Sequence, residues 1–282
     1  MHHTLIEPAE LARHLDDPAW IIVDCRFSLD DTEAGRRAYK AAHIPGAVYA
    51  HLDKDLSGPP LTDRGRHPLP GPEALRALFS RLGIDAEKQV AVYDTATGAI
   101  GARLWWLLRA MGHDAVAVLN GGWAAWQEEG LPTASGVERN RPTTFKGDFR
   151  RELLLLAAEV ADAPRLVDSR APARYRGEEE MLDPVAGHIP GAANYYYMRN
   201  LDEEARFLPP ERLRAQLEAL QGGTPSEEVA FYCGSGVTAC HNLLAQVHAG
   251  LPEGRLYAGS WSDWISDPQR PVDTGEEPSA PA

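Results

Sequence analysis

The sequence predicts an α/β protein that contains two copies of one domain, each a mostly parallel sheet flanked by helices. Short apolar runs rich in β-branched residues alternate with segments whose apolar residues recur at helical spacing. Such alternation is typical of parallel α/β domains, in which the strands are buried on both faces. The same plan then recurs in the second half of the chain. Fold class and domain number therefore rest on these two observations.

Three buried strands organise the first half. Predicted strands cover 20–24, 90–94 and 115–119. Helices are predicted over 73–82 and 104–111, because the apolar residues in each fall at positions i, i+3, i+4 and i+7. Proline-rich stretches at 59–60 and 68–72 indicate surface loops.

Four landmarks of the first half return in the same order, at offsets that stay nearly constant (168 − 24 = 144, 188 − 43 = 145, 233 − 94 = 139, 261 − 123 = 138). They are the strand ends Asp24 and Asp168, the His-Ile-Pro-Gly-Ala turns at 43–47 and 188–192, the strands that end at Asp94 and Cys233, and the tryptophans 123, 126, 261 and 264. Four ordered matches indicate a tandem duplication.

The repeat sets the predicted domain boundaries. We expect a first domain over 1–131 and a second domain over 148–267. A linker is predicted at 132–147, where Pro, Thr and Arg are frequent and apolar periodicity is lost. The Pro-, Glu- and Ser-rich residues 268–282 are predicted to be a disordered tail.

Composition and charge exclude several classes of protein. The net charge of −13 argues against a nucleic-acid partner, and no apolar run is long enough to span a membrane. Residues 1–7 lack the pattern of a secretory signal, and the three cysteines offer neither a disulfide framework nor the spacing of a zinc site. We therefore expect a cytoplasmic protein without a metal or organic cofactor. A small anionic substrate would have to be attracted by local arginines and backbone N–H groups.

Cys233 is the candidate nucleophile. It ends an apolar run over 229–232, and the loop Gly234-Ser235-Gly236 behind it gives the backbone freedom to turn sharply. The following segment has the apolar stripe of a core-facing helix, on which Cys240 falls. A loop that leads into a helix N-terminus aims N–H groups and partial positive charge at the thiol, which favours the reactive thiolate. A cysteine that merely packs at a strand end is the alternative.

Only the second domain is predicted to be catalytic. Where it has Cys233, the first domain has Asp94, with no thiol in the loop that follows. His43 and His188 open turns in both copies, so a structural role is favoured over acid–base catalysis. Cys240 is expected to contribute to packing.

The layout resembles the two-domain rhodanese family of sulfurtransferases over nearly the whole chain. The segments that carry the resemblance are Val167-Asp-Ser-Arg170, the paired His-Ile-Pro-Gly-Ala turns, residues 232–239 and Gly259-Ser-Trp-Ser-Asp-Trp264. The resemblance implies two five-stranded rhodanese-like domains. The loop Cys-Gly-Ser-Gly-Val-Thr is similar to that of 3-mercaptopyruvate sulfurtransferases, whereas thiosulfate-preferring members carry basic residues at the positions of Gly234 and Ser235.

The resemblance implies a double-displacement reaction. Cys233 would attack the sulfane sulfur of a small anionic donor, and the resulting persulfide would pass its outer sulfur to a thiol, cyanide or a thioredoxin-like protein. The persulfide would be held by the N–H groups of the loop Gly234, Ser235, Gly236, Val237, Thr238 and Ala239, together with the hydroxyls of Ser235 and Thr238. Thr238 could equally cap the following helix.

Arg174 matches the family arginine that binds the donor's anionic group, and the alternative is an ion pair with Glu178 to Glu180. Phe27 matches a position whose aromatic side chain faces the site. Arg170 is expected to be structural. Mercaptopyruvate enzymes usually carry a second arginine just before the second His-Ile-Pro-Gly turn, and residues 177–187 contain none.

Three other functions compete with a mercaptopyruvate enzyme. A thiosulfate:cyanide sulfurtransferase would use the same cysteine, and a non-catalytic rhodanese module would serve for binding or regulation. A cysteine phosphatase would need an arginine six residues after the cysteine, where this chain has Ala239. The retained Cys233 and its intact loop favour an enzyme over a binding module.

Overall fold

The computed structural model describes residues 1–59 and 65–276, which divide into two compact units. The first unit comprises 1–59, Leu69–Arg151 and Leu201–Phe207, and the second comprises 65–68, Glu152–Asn200 and 208–276. The expected linker at 132–147 thus belongs to the first unit, where Phe145 is buried edge-on against Phe79 at a centroid distance of 5.0 Å. Two short segments belong to the opposite unit from the one that the predicted domain boundaries assign them: 65–68 to the second unit and Leu201–Phe207 to the first.

The first unit contains a five-stranded, fully parallel sheet in the order β1-β5-β4-β2-β3. Its strands are β1 (Leu5–Ile6), β2 (Trp20–Asp24), β3 (Val48–Tyr49), β4 (Gln89–Tyr93) and β5 (Val116–Leu119). Its helices are α1 (Pro8–Leu11), α2 (Ala34–Ala41), α3 (Pro72–Leu82), α4 (Gly101–Ala110) and α5 (Gly122–Glu128), with a 3₁₀ turn at Ala12–His14. The three strands and the main helices predicted from periodicity are present within a few residues of their expected bounds.

The second unit contains a parallel sheet in the order β7-β6-β8-β9. Its strands are β6 (Arg165–Asp168), β7 (Ala193–Asn194), β8 (Val229–Tyr232) and β9 (Arg255–Leu256). Its helices are α6 (Pro172–Tyr175), α7 (Pro210–Gln221), α8 (Ala239–His248) and α9 (Ser260–Trp264), with 3₁₀ turns at Arg151–Leu153, Ala157–Asp162, Tyr197–Asn200 and Ser226–Glu228.

The prediction of five strands is wrong for the second sheet in the described residues. At the place that corresponds to β1, a single parallel bridge joins Leu154 to Leu256, with one hydrogen bond from Leu155 N–H to the Leu256 carbonyl at 2.9 Å. The 3₁₀ turns on both sides of this pair divert the chain before a ladder can extend.

The carboxyl ends of the strands determine where the candidate site lies. In each sheet the central pair of strands, β2 with β4 and β6 with β8, runs in register, so that Asp168 pairs with Tyr232, the residue before Cys233. In parallel α/β sheets, ligands bind at this carboxyl edge. A buried apolar cluster that includes Tyr232, Trp261 and Ile189 packs in the core of the second unit at this end of the sheet.

The tail prediction is wrong for residues 268–276. Asp273 and His188 exchange backbone hydrogen bonds of 2.8 and 3.0 Å, and Trp264 Nε1 donates to the Pro271 carbonyl at 2.8 Å. These bonds attach the segment to the second unit despite its polar composition. Residues 277–282 of the predicted tail lie outside the described residues.

None of the helices in the described ranges combines the length and the apolar character that crossing a bilayer requires.

Candidate active site

Cys233 lies directly after β8, and it is only 2% exposed. Its backbone is fixed on both sides: its N–H donates to Ser260 Oγ at 3.0 Å, and its carbonyl accepts from Trp261 N–H at 3.0 Å. The thiol faces the loop, because Gly236 N–H donates to Cys233 Sγ at 3.2 Å. This bond places one loop N–H against the sulfur, and the role expected of the whole loop, to hold a persulfide, remains a prediction.

Gly236 is the residue that gives the loop its shape. Its φ of +76° lies in the left-handed region, and a Cβ at this position would meet the Ala258 carbonyl oxygen at 2.2 Å. The loop residues 234–239 are buried except for the half-buried Thr238. Thr238 stands at the N-cap of α8 but makes no capping hydrogen bond through its side chain, so the capping alternative is wrong. Cys240 is fully buried on α8, as its packing role requires.

Ser235 is held by a residue that the sequence analysis missed. His67 Nδ1 lies 2.7 Å from Ser235 Oγ, and both residues are buried. His67 belongs to the second unit although it precedes α3 in sequence. The sequence offers as a signal only a histidine and two basic residues, Arg64 and Arg66, between the two proline-rich stretches that predict surface loops.

Arg174 fits both of its sequence interpretations. Its guanidinium makes bonds of 2.8–3.1 Å to the carboxylate of Glu180, and Nη2 also donates to Asp183 Oδ2 at 3.1 Å. At the same time its Nη1 would lie 3.5 Å from a Cβ built on Gly234, so the guanidinium lies beside the cysteine loop. The expected acidic pairing therefore takes place next to the candidate site rather than on open surface.

The two acids of this cluster are almost fully buried, with 4% exposure for the Glu180 side chain and 3% for that of Asp183. Burial raises the pKa of Asp183, although Arg66 and Arg174 oppose the shift. Burial also acts on Glu180, but hydrogen bonds from Leu182 N–H and from Arg174 outweigh it and lower the pKa of that carboxyl.

Arg66 is the second site residue that the sequence did not reveal. Its N–H donates to Ser262 Oγ at 3.1 Å, and its guanidinium donates through Nη1 to Asp183. Its Nη2 would lie 2.9 Å from a Cβ on Gly234. No periodicity marks residues 65–68, so only the folded chain brings this arginine to the loop.

Several side-chain arrangements occur in both units, which favours the structural roles that the repeat predicts for them. Arg170 binds Asp168 through Nε and Nη2 at 2.6–3.0 Å and lies over the Trp261 ring. Arg26 repeats this arrangement with Asp24 in the first unit. The two turn histidines also match: His43 Nδ1 lies 2.7 Å from the Tyr39 carbonyl, and His188 Nδ1 lies 2.8 Å from the Tyr175 carbonyl.

The first unit holds an aspartate where the second holds the cysteine. Asp94 follows β4, and its carboxylate accepts four backbone N–H bonds of 2.8–3.2 Å from Ala96, Gly98, Ile100 and Gly101. The loop and the start of α4 therefore form an anion-binding cradle that the chain's own side chain fills.

Phe27 lies on the loop after β2 in the first unit, where its ring contacts His51 edge-on at a centroid distance of 5.3 Å. Its expected role near the substrate remains a prediction. Among the described residues, no group of three or more His, Cys, Asp and Glu side chains is arranged to hold a metal ion.

The comparisons with known proteins agree with this geometry. Residues 7–129 and 153–267 match the rhodanese-like domain. A Pseudomonas aeruginosa protein named "Probable 3-mercaptopyruvate sulfurtransferase" is 47% identical over 279 residues, which cover 96% of this chain and 98% of that protein. The Bos taurus thiosulfate sulfurtransferase is 35% identical over 260 residues, 88% of this chain and 86% of the relative. The solved 3-mercaptopyruvate sulfurtransferase of Leishmania major superposes with a TM-score of 0.83 at 33% identity, covering 92% of this chain and 73% of that chain.

Two parallel α/β units with a cysteine loop on the second, matched over most of the chain, define the class: the chain belongs to the rhodanese-like domain family. Within that family it is an enzyme, a sulfurtransferase.

Proposed function

We propose that the enzyme transfers the sulfur atom of 3-mercaptopyruvate, through a persulfide on Cys233, to a thiol, cyanide or a thioredoxin-like protein. The observation that carries the proposal is the contact between Gly236 N–H and Cys233 Sγ at 3.2 Å. The corresponding loop of the first unit binds the carboxylate of Asp94 in the same way, through Gly98 N–H. A persulfide anion is a suitable occupant for such a cradle, because preorganised N–H groups stabilise negative charge where it develops.

The reaction balances in two steps. The Cys233 thiolate attacks the donor sulfur, an S–S bond forms, and the donor's C–S bond breaks, so that the pyruvate enolate leaves and takes up a proton. An acceptor thiolate then attacks the outer sulfur, the S–S bond breaks, and the Cys233 thiolate is restored. Thiosulfate would follow the same course with sulfite as leaving group.

The neutral loop supports mercaptopyruvate as the preferred donor. Gly234 and Ser235 bring no charge, and the Ser235 hydroxyl, which lies 2.7 Å from His67 Nδ1, is a neutral polar group within the loop. Relatives named for either donor match the chain, so thiosulfate is the second candidate. An arginine close to the loop can bind the anionic end of either molecule.

Steady-state kinetics test the donor assignment. We would measure kcat/KM for 3-mercaptopyruvate and for thiosulfate with one acceptor and one enzyme preparation. A preference of about 10-fold for mercaptopyruvate, or roughly 1.4 kcal/mol of transition-state discrimination, would support the proposal. A preference for thiosulfate would establish the second candidate, and activity with neither would refute both.

A further inference from the structure

Arg66 and Arg174 approach the cysteine loop from two distant parts of the sequence. Both reach Gly234, the residue after Cys233: a Cβ there would lie 2.9 Å from Arg66 Nη2 and 3.5 Å from Arg174 Nη1. Two guanidinium groups therefore line the loop one residue from the candidate nucleophile. Their side chains are 30% and 22% exposed, so solutes can reach both.

One buried carboxylate already bridges the two arginines. Asp183 accepts from Arg66 Nη1 through Oδ1 and from Arg174 Nη2 through Oδ2 at 3.1 Å. The guanidinium pair thus presents a geometry that suits a planar carboxylate, the group that arginine forks bind best. Asp183 itself is 3% exposed in its side chain, and burying a charge carries a desolvation cost that its partners must offset.

Arg170 also approaches this cluster, but its charge is already paired with Asp168 and Glu180. Arg170 is 3% exposed and is held by the Asp168 carboxylate and the Gly187 carbonyl. The protein as a whole carries a charge of −13, so an anion must be drawn in by a local positive field. Arg66 and Arg174 are the described arginines placed to supply that field at Gly234.

We propose that Arg66 is a donor-binding residue that acts with Arg174 on the donor's carboxylate, and that Asp183 is the internal carboxylate with which the donor competes. The proposal rests on the proposed function for the identity of the donor. The proposal gives Arg66 a role in donor specificity, although the segment 65–68 contains no catalytic motif. It also assigns an opposite effect to Asp183, whose negative charge weakens anion binding.

Alkylation of Cys233 tests the local field without any sulfur transfer. Iodoacetate and iodoacetamide react with the same thiolate and differ in charge, so the ratio of their rates at Cys233, followed by peptide mass spectrometry, reports the positive potential at the sulfur. We expect Arg66→Gln to lower the iodoacetate-to-iodoacetamide ratio about 5-fold and Asp183→Asn to raise it by a similar factor. Arg66→Lys should keep most of the ratio, because it keeps the charge.

The control is Arg212→Gln, an equal change of charge at an exposed position of α7 in the same unit. It should leave the alkylation ratio unchanged. An Arg66→Gln ratio equal to that of wild type would overturn the proposal, and a loss as large in Arg212→Gln would show that net charge, not position, is responsible.

Donor kinetics supply the second readout. Arg66→Gln should raise the KM for 3-mercaptopyruvate about 10-fold with a smaller change in kcat and no change in the KM of the acceptor. A changed alkylation ratio with an unchanged donor KM would overturn the assignment of Arg66 to donor binding. Should the wild type use neither donor, the proposed function would fail, while the alkylation ratio would still decide whether Arg66 attracts anions to Cys233.

Discussion

The loops after β4 and β8 occupy the same place in their sheets, yet each serves a different side chain. Gly98 and Gly236 both have a φ of +76°, and the N–H of each donates to the residue directly after the strand. The acceptor is the Asp94 carboxylate at 2.9 Å in the first unit and Cys233 Sγ at 3.2 Å in the second. The first loop is one residue longer between strand end and glycine (98 − 94 = 4, 236 − 233 = 3).

The comparison separates two parts of each unit. The backbone N–H groups of the loop contact an electron-rich group in both, whereas the residue directly after the strand differs and determines which chemistry is available. In the first unit, a carboxylate that cannot act as a sulfur carrier fills the cradle with four N–H bonds. In the second unit, the Cys233 thiol stands at the same strand end, and the proposed function assigns to it the sulfur that is transferred. The two units thus share one type of loop, and in the first unit its N–H groups are occupied by the side chain of Asp94.

The largest expected effect comes from removing the thiol. Cys233→Ser should reduce kcat for every donor by roughly 10⁴-fold or more, because the first unit offers only Asp94 at the corresponding position and no replacement nucleophile. Cys240→Ser is the matched control on α8 and should retain turnover. Appreciable transfer by Cys233→Ser would break the distinction between the two loops.

The two glycines allow a direct comparison of stability. Gly236→Ala should lower the free energy of unfolding of the second unit by about 3 kcal/mol or more, because the new Cβ meets the Ala258 carbonyl at 2.2 Å in a left-handed conformation. Gly98→Ala bears the same backbone strain but meets only side-chain atoms at 3.2 Å or more, so about 1–2 kcal/mol is expected. Denaturant titrations of both variants measure the difference, and equal losses would contradict a tighter second loop.

Removing the built-in anion tests whether the first loop is a cradle. Asp94→Ala should destabilise the first unit by about 2–3 kcal/mol, since several buried N–H groups lose their acceptor. Added sulfate or phosphate should restore part of that stability by binding the vacated N–H groups. An unchanged unfolding free energy would show that these N–H groups gain little from the carboxylate.

The smallest expected effect is a pH dependence at the arginine pair. Asp183 faces Arg66, Arg174, Arg170 and Glu180, and burial raises its pKa. As pH falls, Asp183 should therefore lose its negative charge at a higher pH than an exposed aspartate, and the iodoacetate-to-iodoacetamide ratio at Cys233 should rise. The thiolate fraction cancels in that ratio. Asp183→Asn should flatten the rise, and a flat wild-type profile would contradict the role given to Asp183.

Much of this fold could be predicted because its signals are local. The strand before Cys233, the glycines behind it and the apolar stripe of α8 lie next to one another in sequence, and the repeat confirmed the pattern independently. The fifth strand expected in the second sheet came from the resemblance alone, and among the described residues a single bridge between Leu154 and Leu256 takes its place.

His67 and Arg66 could not be predicted for a related reason. They lie more than 160 residues before the loop they contact (235 − 67 = 168), in a segment without periodicity. Their positions come from tertiary packing within the second unit rather than from any local preference. The tail was misjudged in the same way, because backbone hydrogen bonds to His188 override its polar composition.

The most direct test of the account is a single-turnover experiment on Cys233. The enzyme would be mixed with 3-mercaptopyruvate in the absence of acceptor, and its peptides would be analysed by mass spectrometry after rapid quenching. We predict a mass gain of one sulfur atom on the peptide that contains Cys233, which disappears when an acceptor thiol is added. Product formation without that adduct, or an adduct on Cys25 or Cys240 instead, would contradict the central claim that the second loop holds a persulfide on Cys233.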